Sequence, residues 1–174
     1  GLGDVYKRQQ GLDCCEAEAK CAGELLGVPT DAVLVASTGV IGMQIPVDKI
    51  TAGIEKLVAA KADTLEAGSD AAHAIMTTDT ISKEIAIETQ IGGKTVTLGG
   101  MCKGSGMIHP NMCTMLGFVT TDVKISKEML QKCVSADVVD SFNMISVDGD
   151  TSTNDTLLVP VSYTHLRAHE TCAD

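Results

Sequence analysis

The two glycines at positions 92 and 93 separate two runs of alternating character, Glu84–Gln90 and Thr95–Leu98, and they narrow the fold more than any other feature. Gly92-Gly93-Lys94 is a hairpin signal, because tight turns between strands use left-handed backbone that glycine adopts without a Cβ penalty. The runs are therefore read as neighbouring antiparallel strands of a hairpin, with Ile85 and Ile87 on one half-buried side.

Helical patterns surround this hairpin. Gly11–Leu26 is rich in Ala, Glu, Lys and Leu and is closed by Gly27 and Pro29. Pro46-Val47-Asp48 opens a second helix to about Lys61, whose Ile50, Ile54, Leu57 and Val58 repeat at helical spacing. A third helix is expected over Ser69–Met76 and a fourth over Ser126–Phe142, capped by Ser126 with Glu128 in its first turn. Further short strands are expected at Ala32–Ala36 (buried), Phe118–Thr121, Met144–Val147 and Leu157–Val159. Gly99–Gly106 reads as a glycine-rich passage and Asp148–Asp155 as a polar loop. Such alternation predicts a layered α/β domain with a mixed sheet.

Charge and composition exclude several roles. Asp and Glu outnumber Lys and Arg by 23 to 13, a net −10, and a surface of that sign repels phosphate backbones. With no Trp, two Tyr and two Phe, platforms for base stacking are also lacking, so no nucleic-acid partner is expected. The longest apolar run, Ala32–Ala36, is far short of the roughly 20 residues that span a bilayer, so no membrane partner is expected either. No charged-then-apolar leader opens the chain, and a cytoplasmic location is expected.

The flanks read differently from the centre. Gly1–Gln9 (GLGDVYKRQ) and Val161–Thr171 (VSYTHLRAHET) back-translate into reverse complements of one another and resemble a transposon-type sequencing adapter read in frame. Residues 1–9 and 161–174 are accordingly expected to be adapter-derived, with 10–160 as a truncated natural segment. Within it, Cys14, Cys15, Cys21, Cys102, Cys113 and Cys133 form no C-x-x-C pair and fit no zinc framework. They read as reduced, small apolar residues, and no metal site is expected. Asp148–Asp155 begins D-x-D but lacks the glycine and terminal glutamate of a calcium loop.

Chemistry concentrates in Lys103-Gly104-Ser105-Gly106-Met107-Ile108 and Pro110-Asn111-Met112-Cys113-Thr114-Met115-Leu116. The glycines and lysine do not have phosphate-loop spacing. By itself Thr114 reads as a capping hydroxyl and Lys103 as a solvated charge, while His109, five residues before Thr114, reads either as a loop residue or as the base of a His–Thr dyad. Together, however, the passage resembles the cleavage-site motif K-G-S-G-M-I-x-P-N-M-A-T-M-L of the ornithine acetyltransferase (glutamate N-acetyltransferase) family, with Cys113 in place of the usual Ala. The blocks Ser37–Gly42, Thr77–Thr80 and Ser146–Asp155 resemble the same family in the same order.

This resemblance implies an enzyme of arginine biosynthesis with an α-β-β-α sandwich like those of N-terminal-nucleophile and aminopeptidase-like proteins, here truncated. It implies self-cleavage between Cys113 and Thr114, so that residues 10–113 end the first chain and 114–160 begin the second. Thr114 would carry the acetyl group from N-acetylornithine to glutamate, its freed α-amine serving as base with a pKa near 7.7–8.0. Thr38 and Gly39 would stabilise the oxyanion, and Thr77 and Lys103 would bind substrate, the lysine suiting a carboxylate. The resemblance further implies no required cofactor and association of the cleaved chains as a heterotetramer of two of each; these residues do not separate an enzyme that only recycles acetyl groups from one that also takes acetyl-CoA as co-substrate. A self-processing aminopeptidase or amidohydrolase, and a non-catalytic binding module, stand as alternatives; the truncated segment itself is expected to be inactive.

Overall fold

The computed structural model describes residues 5–37, 43–106, 115–148 and 155–162. The chain divides into two units, Gly1–Ala67 and Gly68–Asp174.

In the first unit, helices α1 (Val5–Leu26) and α2 (Val47–Ala60) lie against one another. Ala19 is buried in this unit, and the Cys21 thiol points at the Thr51 carbonyl oxygen, 3.9 Å away. The expected closure of the first helix forms. The Val28 N–H donates to the Gly23 carbonyl at 3.0 Å across Gly27, whose φ is 69°. The strand expected at Ala32–Ala36 does not form. Ala32 ends a short 3-10 turn, Thr30–Ala32, and Leu34 is 67% exposed. No strand lies among the described residues of this unit, and an apolar run without a ladder partner has nowhere to place its amides and carbonyls in a sheet.

The second unit is built on one mixed sheet in the order β1-β2-β3-β4, with strands Lys83–Ile91, Lys94–Lys103, Leu116–Thr121 and Thr156–Leu158. The predicted hairpin joins β1 to β2 in the register Ile91↔Lys94, through Gly92 and Gly93 at φ 58° and 76°. β2 is antiparallel to β3, and β3 is parallel to β4. The glycine-rich passage is a strand as far as Lys103, because β2 is central and its backbone is paired on both sides. Parallel pairing also continues past β4: Ser162 N–H donates to the Thr121 carbonyl at 2.7 Å.

Helix α3 (Leu65–Ala74) starts and ends earlier than Ser69–Met76, its first turn reaching back over the unit boundary. Helix α4 (Lys127–Asp140) has the predicted cap, Ser126 Oγ accepting from Met129 N–H at 3.2 Å. The strand expected at Met144–Val147 is absent. Phe142–Met144 is a 3-10 turn, and Met144 and Val147 are 71% and 59% exposed. The half-buried side expected of β1 is not found: Ile85 is 66% exposed and Ile87 48%, because no described helix covers that face of the edge strand. Phe142 lines an open cleft of ≈ 290 Å³ together with Ile85, Gly100, Met101, Cys102 and Val119.

Candidate functional site

Two of the predicted site residues meet in the second unit. β2 ends at Lys103, which is only 4% exposed, and its Nζ donates to Thr77 Oγ1 at 3.1 Å. Thr77 belongs to the polar loop that leaves α3, 26 positions away in sequence. No carboxylate among the described residues pairs with Lys103; the ion pair found nearby joins Lys83 to Asp79. Among the described residues this buried ammonium has a neutral hydroxyl for a partner and no compensating carboxylate, a setting that favours an anionic ligand.

The loop is fastened to the end of β2 by Asp79. One carboxylate oxygen, Oδ1, accepts from Gly104 N–H at 2.8 Å and from the Lys83 ammonium; the other, Oδ2, accepts from Thr77 N–H at 3.4 Å. Gly104 offers its amide at φ 148°, a conformation that side-chain-bearing residues rarely adopt. Burial pushes the Asp79 carboxyl up, but the hydrogen bonds from Lys83, Gly104 and Thr77, with the Lys83 charge, outweigh it and hold the pKa at about 2. A further stitch links Thr78 Oγ1 and Ser105 Oγ at 2.6 Å.

The start of β3 lies beside this cluster, since Leu116 is the cross-strand partner of Lys103. Met115 is held on both sides of its backbone. Its N–H donates to Asp155 Oδ1 at 3.0 Å, and its carbonyl accepts from Thr156 N–H at 3.0 Å. Thr114, Cys113 and His109, and the Thr38-Gly39 pair, lie outside the described residues. So does the interior of the loop that was weighed for calcium, residues 149–154. Among the described residues no group of His, Cys, Asp or Glu is arranged to hold a metal, and Cys14, Cys15, Cys21, Cys102 and Cys133 are free thiols. No described helix is long and apolar enough to cross a membrane.

Sequence reasoning had no role for Asp79, Lys83, Gly104 or Asp155. The spacing of Asp79 and Lys83, four positions apart, was the one available signal for that ion pair.

A model of the family described as the ArgJ family matches residues 2–171. The "Arginine biosynthesis bifunctional protein ArgJ" of Symbiobacterium thermophilum is 54% identical over 159 residues, which cover 91% of this chain and 39% of that protein. The chloroplastic protein of the same name from Physcomitrium patens is 53% identical over 154 residues, covering 88% of this chain and 29% of that one. The crystal structure of the Bacillus halodurans arginine biosynthesis bifunctional protein argJ is 45% identical and superposes with a TM-score of 0.54, covering 61% of this chain and 53% of its own. The chain thus spans well under half the length of these two curated relatives.

Proposed function

We infer the function from one premise, that this chain belongs to the ArgJ family, together with the buried Lys103–Thr77 pair. The whole protein is read as a cytoplasmic acetyltransferase of arginine biosynthesis that moves an acetyl group from N-acetylornithine to glutamate. In the same reading the precursor cuts the Cys113–Thr114 peptide bond, and water supplies the new carboxylate of Cys113 and the new α-amine of Thr114. The cut chains remain together, two of each.

The residue types suit the steps. A threonine hydroxyl is a weak nucleophile at neutral pH and needs a base, which the freed α-amine provides on the same residue. In the first half-reaction Thr114 Oγ attacks the acetyl carbon of N-acetylornithine, its proton passing through the amine to the departing ornithine nitrogen. In the second, the amino group of glutamate attacks the acetyl ester and Thr114 regains its proton. Each attack creates an oxyanion, for which Thr38 and Gly39 are the assigned donors. Acetyl-CoA is the assigned second acetyl donor, entering at the same ester with release of the thiol, and no resident cofactor is called for.

The observation that carries this reading is Lys103, 4% exposed and bonded, among the described residues, to a hydroxyl rather than to a carboxylate. Both N-acetylornithine and glutamate carry a carboxylate able to fill that position. The test is intact mass of the full-length protein mixed with N-acetylornithine alone. The expected result is one added acetyl group on the chain that starts at Thr114, discharged by glutamate. Failure to label that chain under turnover conditions contradicts the acetyl-threonine route.

A further inference from the structure

Asp79 has no part in the chemistry just described, yet both backbone amides it accepts from belong to, or adjoin, the two residues assigned to substrate binding. Its side chain is fully buried and accepts from the backbone of Thr77, from the backbone of Gly104 next to Lys103, and from Lys83. Thr77 in turn accepts from Lys103 Nζ at 3.1 Å. One carboxylate therefore ties the Thr77 loop to the end of β2, and the tie closes a ring: Asp79 to Thr77, Thr77 to Lys103, Lys103 through its own peptide bond to Gly104, and back to Asp79.

We propose that Asp79 is a positioning residue for substrate carboxylate binding, setting the Lys103 ammonium against Thr77 by clamping both of their backbones. The proposal rests on the reading of Thr77 and Lys103 as substrate-binding residues. A lysine side chain has four rotatable bonds and loses affinity for a carboxylate when its head group is free to wander. Fixing Thr77 Oγ1 gives the ammonium one constant partner and leaves its other two protons for a ligand. Lys83 has a different place in this arrangement. At 39% exposure its ammonium remains partly in water, and its work is to neutralise Asp79, so that the clamp does not compete for Lys103.

The experiment uses the full-length protein with its native flanking sequence, and compares wild type with Asp79→Asn, Thr77→Ala, Lys103→Met and the double variant Asp79→Asn/Thr77→Ala. Cleavage at Thr114 is checked by mass, and kcat and KM are measured for N-acetylornithine and for glutamate. Asp79→Asn is expected to raise both KM values about tenfold while kcat falls less than threefold. Thr77→Ala is expected to add less than twofold to KM in the Asp79→Asn background, because residues that act as one unit are non-additive. Asp79→Glu is expected to recover at least part of the loss.

If Thr77→Ala and Lys103→Met raise KM but Asp79→Asn leaves it unchanged, or multiplies it independently of Thr77, the positioning role is overturned and the binding reading survives. If Thr77→Ala and Lys103→Met leave KM unchanged, the binding reading itself falls and takes the proposal with it. Should Asp79→Asn fail to accumulate as folded protein, Lys83→Met carries the test. It keeps both backbone bonds and is expected to raise the two KM values two- to fivefold, and unchanged values overturn the proposal.

Discussion

Asp79 in the second unit and Glu18 in the first are both carboxylates held away from water, at 9% and 6% exposure, and their surroundings push them in opposite directions. Asp79 has donors on both oxygens, and its pKa is held at about 2. Glu18 Oε1 is buried with no hydrogen-bond partner among the described residues, and burial pushes its carboxyl up. Burial is common to both, so the number of donors decides the sign. A carboxylate supplied with donors acts as a joint between segments, whereas one without them weakens the helix that carries it. The cluster around Lys103 is built on the first kind.

The largest effect expected from breaking this contrast is Asp79→Ala. It removes the common acceptor of two backbone amides and an ion pair, at a cost of about 3 kcal/mol. Urea unfolding reads the loss, and hydrogen exchange localises it, with the amides of Thr77 and Gly104 losing protection first. A change under 1 kcal/mol would mean that the loop holds without its clamp. Acid probes the same joint without mutation. The pKa of Asp79 is lower folded than unfolded, so the contribution, about 2 kcal/mol, is complete above the ordinary carboxylate value of 3.8. It is lost as pH falls through about 2. In Asp79→Asn that acid-side decline should flatten, as read from urea midpoints between those two pH values.

Lys83→Met sharpens the comparison by removing the ion pair and leaving the two backbone donors. About 1 kcal/mol is expected to be lost, since the lysine is 39% exposed and its charge is partly screened. Glu18→Gln tests the other pole and carries the smallest effect, of opposite sign. Because burial raises this carboxyl, its contribution is favourable below the unfolded pKa and is lost as pH rises through the folded one. At neutral pH the glutamine variant is therefore expected to be at least as stable as wild type, by melting temperature. A clear drop would show that Glu18 is ionised and partnered.

The two poles also differ in how far they can be read from residues. Thr77 and Lys103 stand inside recognisable motifs, and the hairpin follows from Gly92-Gly93, whose positive φ angles leave few alternatives. The clamp was not legible. Asp79 stands in the Thr77–Thr80 block and Gly104 in the Lys103–Ile108 passage, but two of the donors to Asp79 are backbone amides, which a sequence does not distinguish from any others. Gly99 and Gly100 obscured the length of β2, because glycine composition signals a loop while pairing on both sides makes a strand. The strands expected at Ala32–Ala36 and Met144–Val147 failed for the converse reason: apolar character suggests burial but supplies no ladder partner. Ser126, by contrast, acts locally, and its cap at Met129 needed no tertiary information.

Intact mass of the protein, recovered at full length with native flanking sequence, decides whether Thr114 becomes an N-terminal nucleophile. Two species split between Cys113 and Thr114, and a single uncut species for Thr114→Ala, are the predicted result. A wild-type protein that stays in one piece would deny Thr114 its amine, and the acetyl-transfer reading would fall.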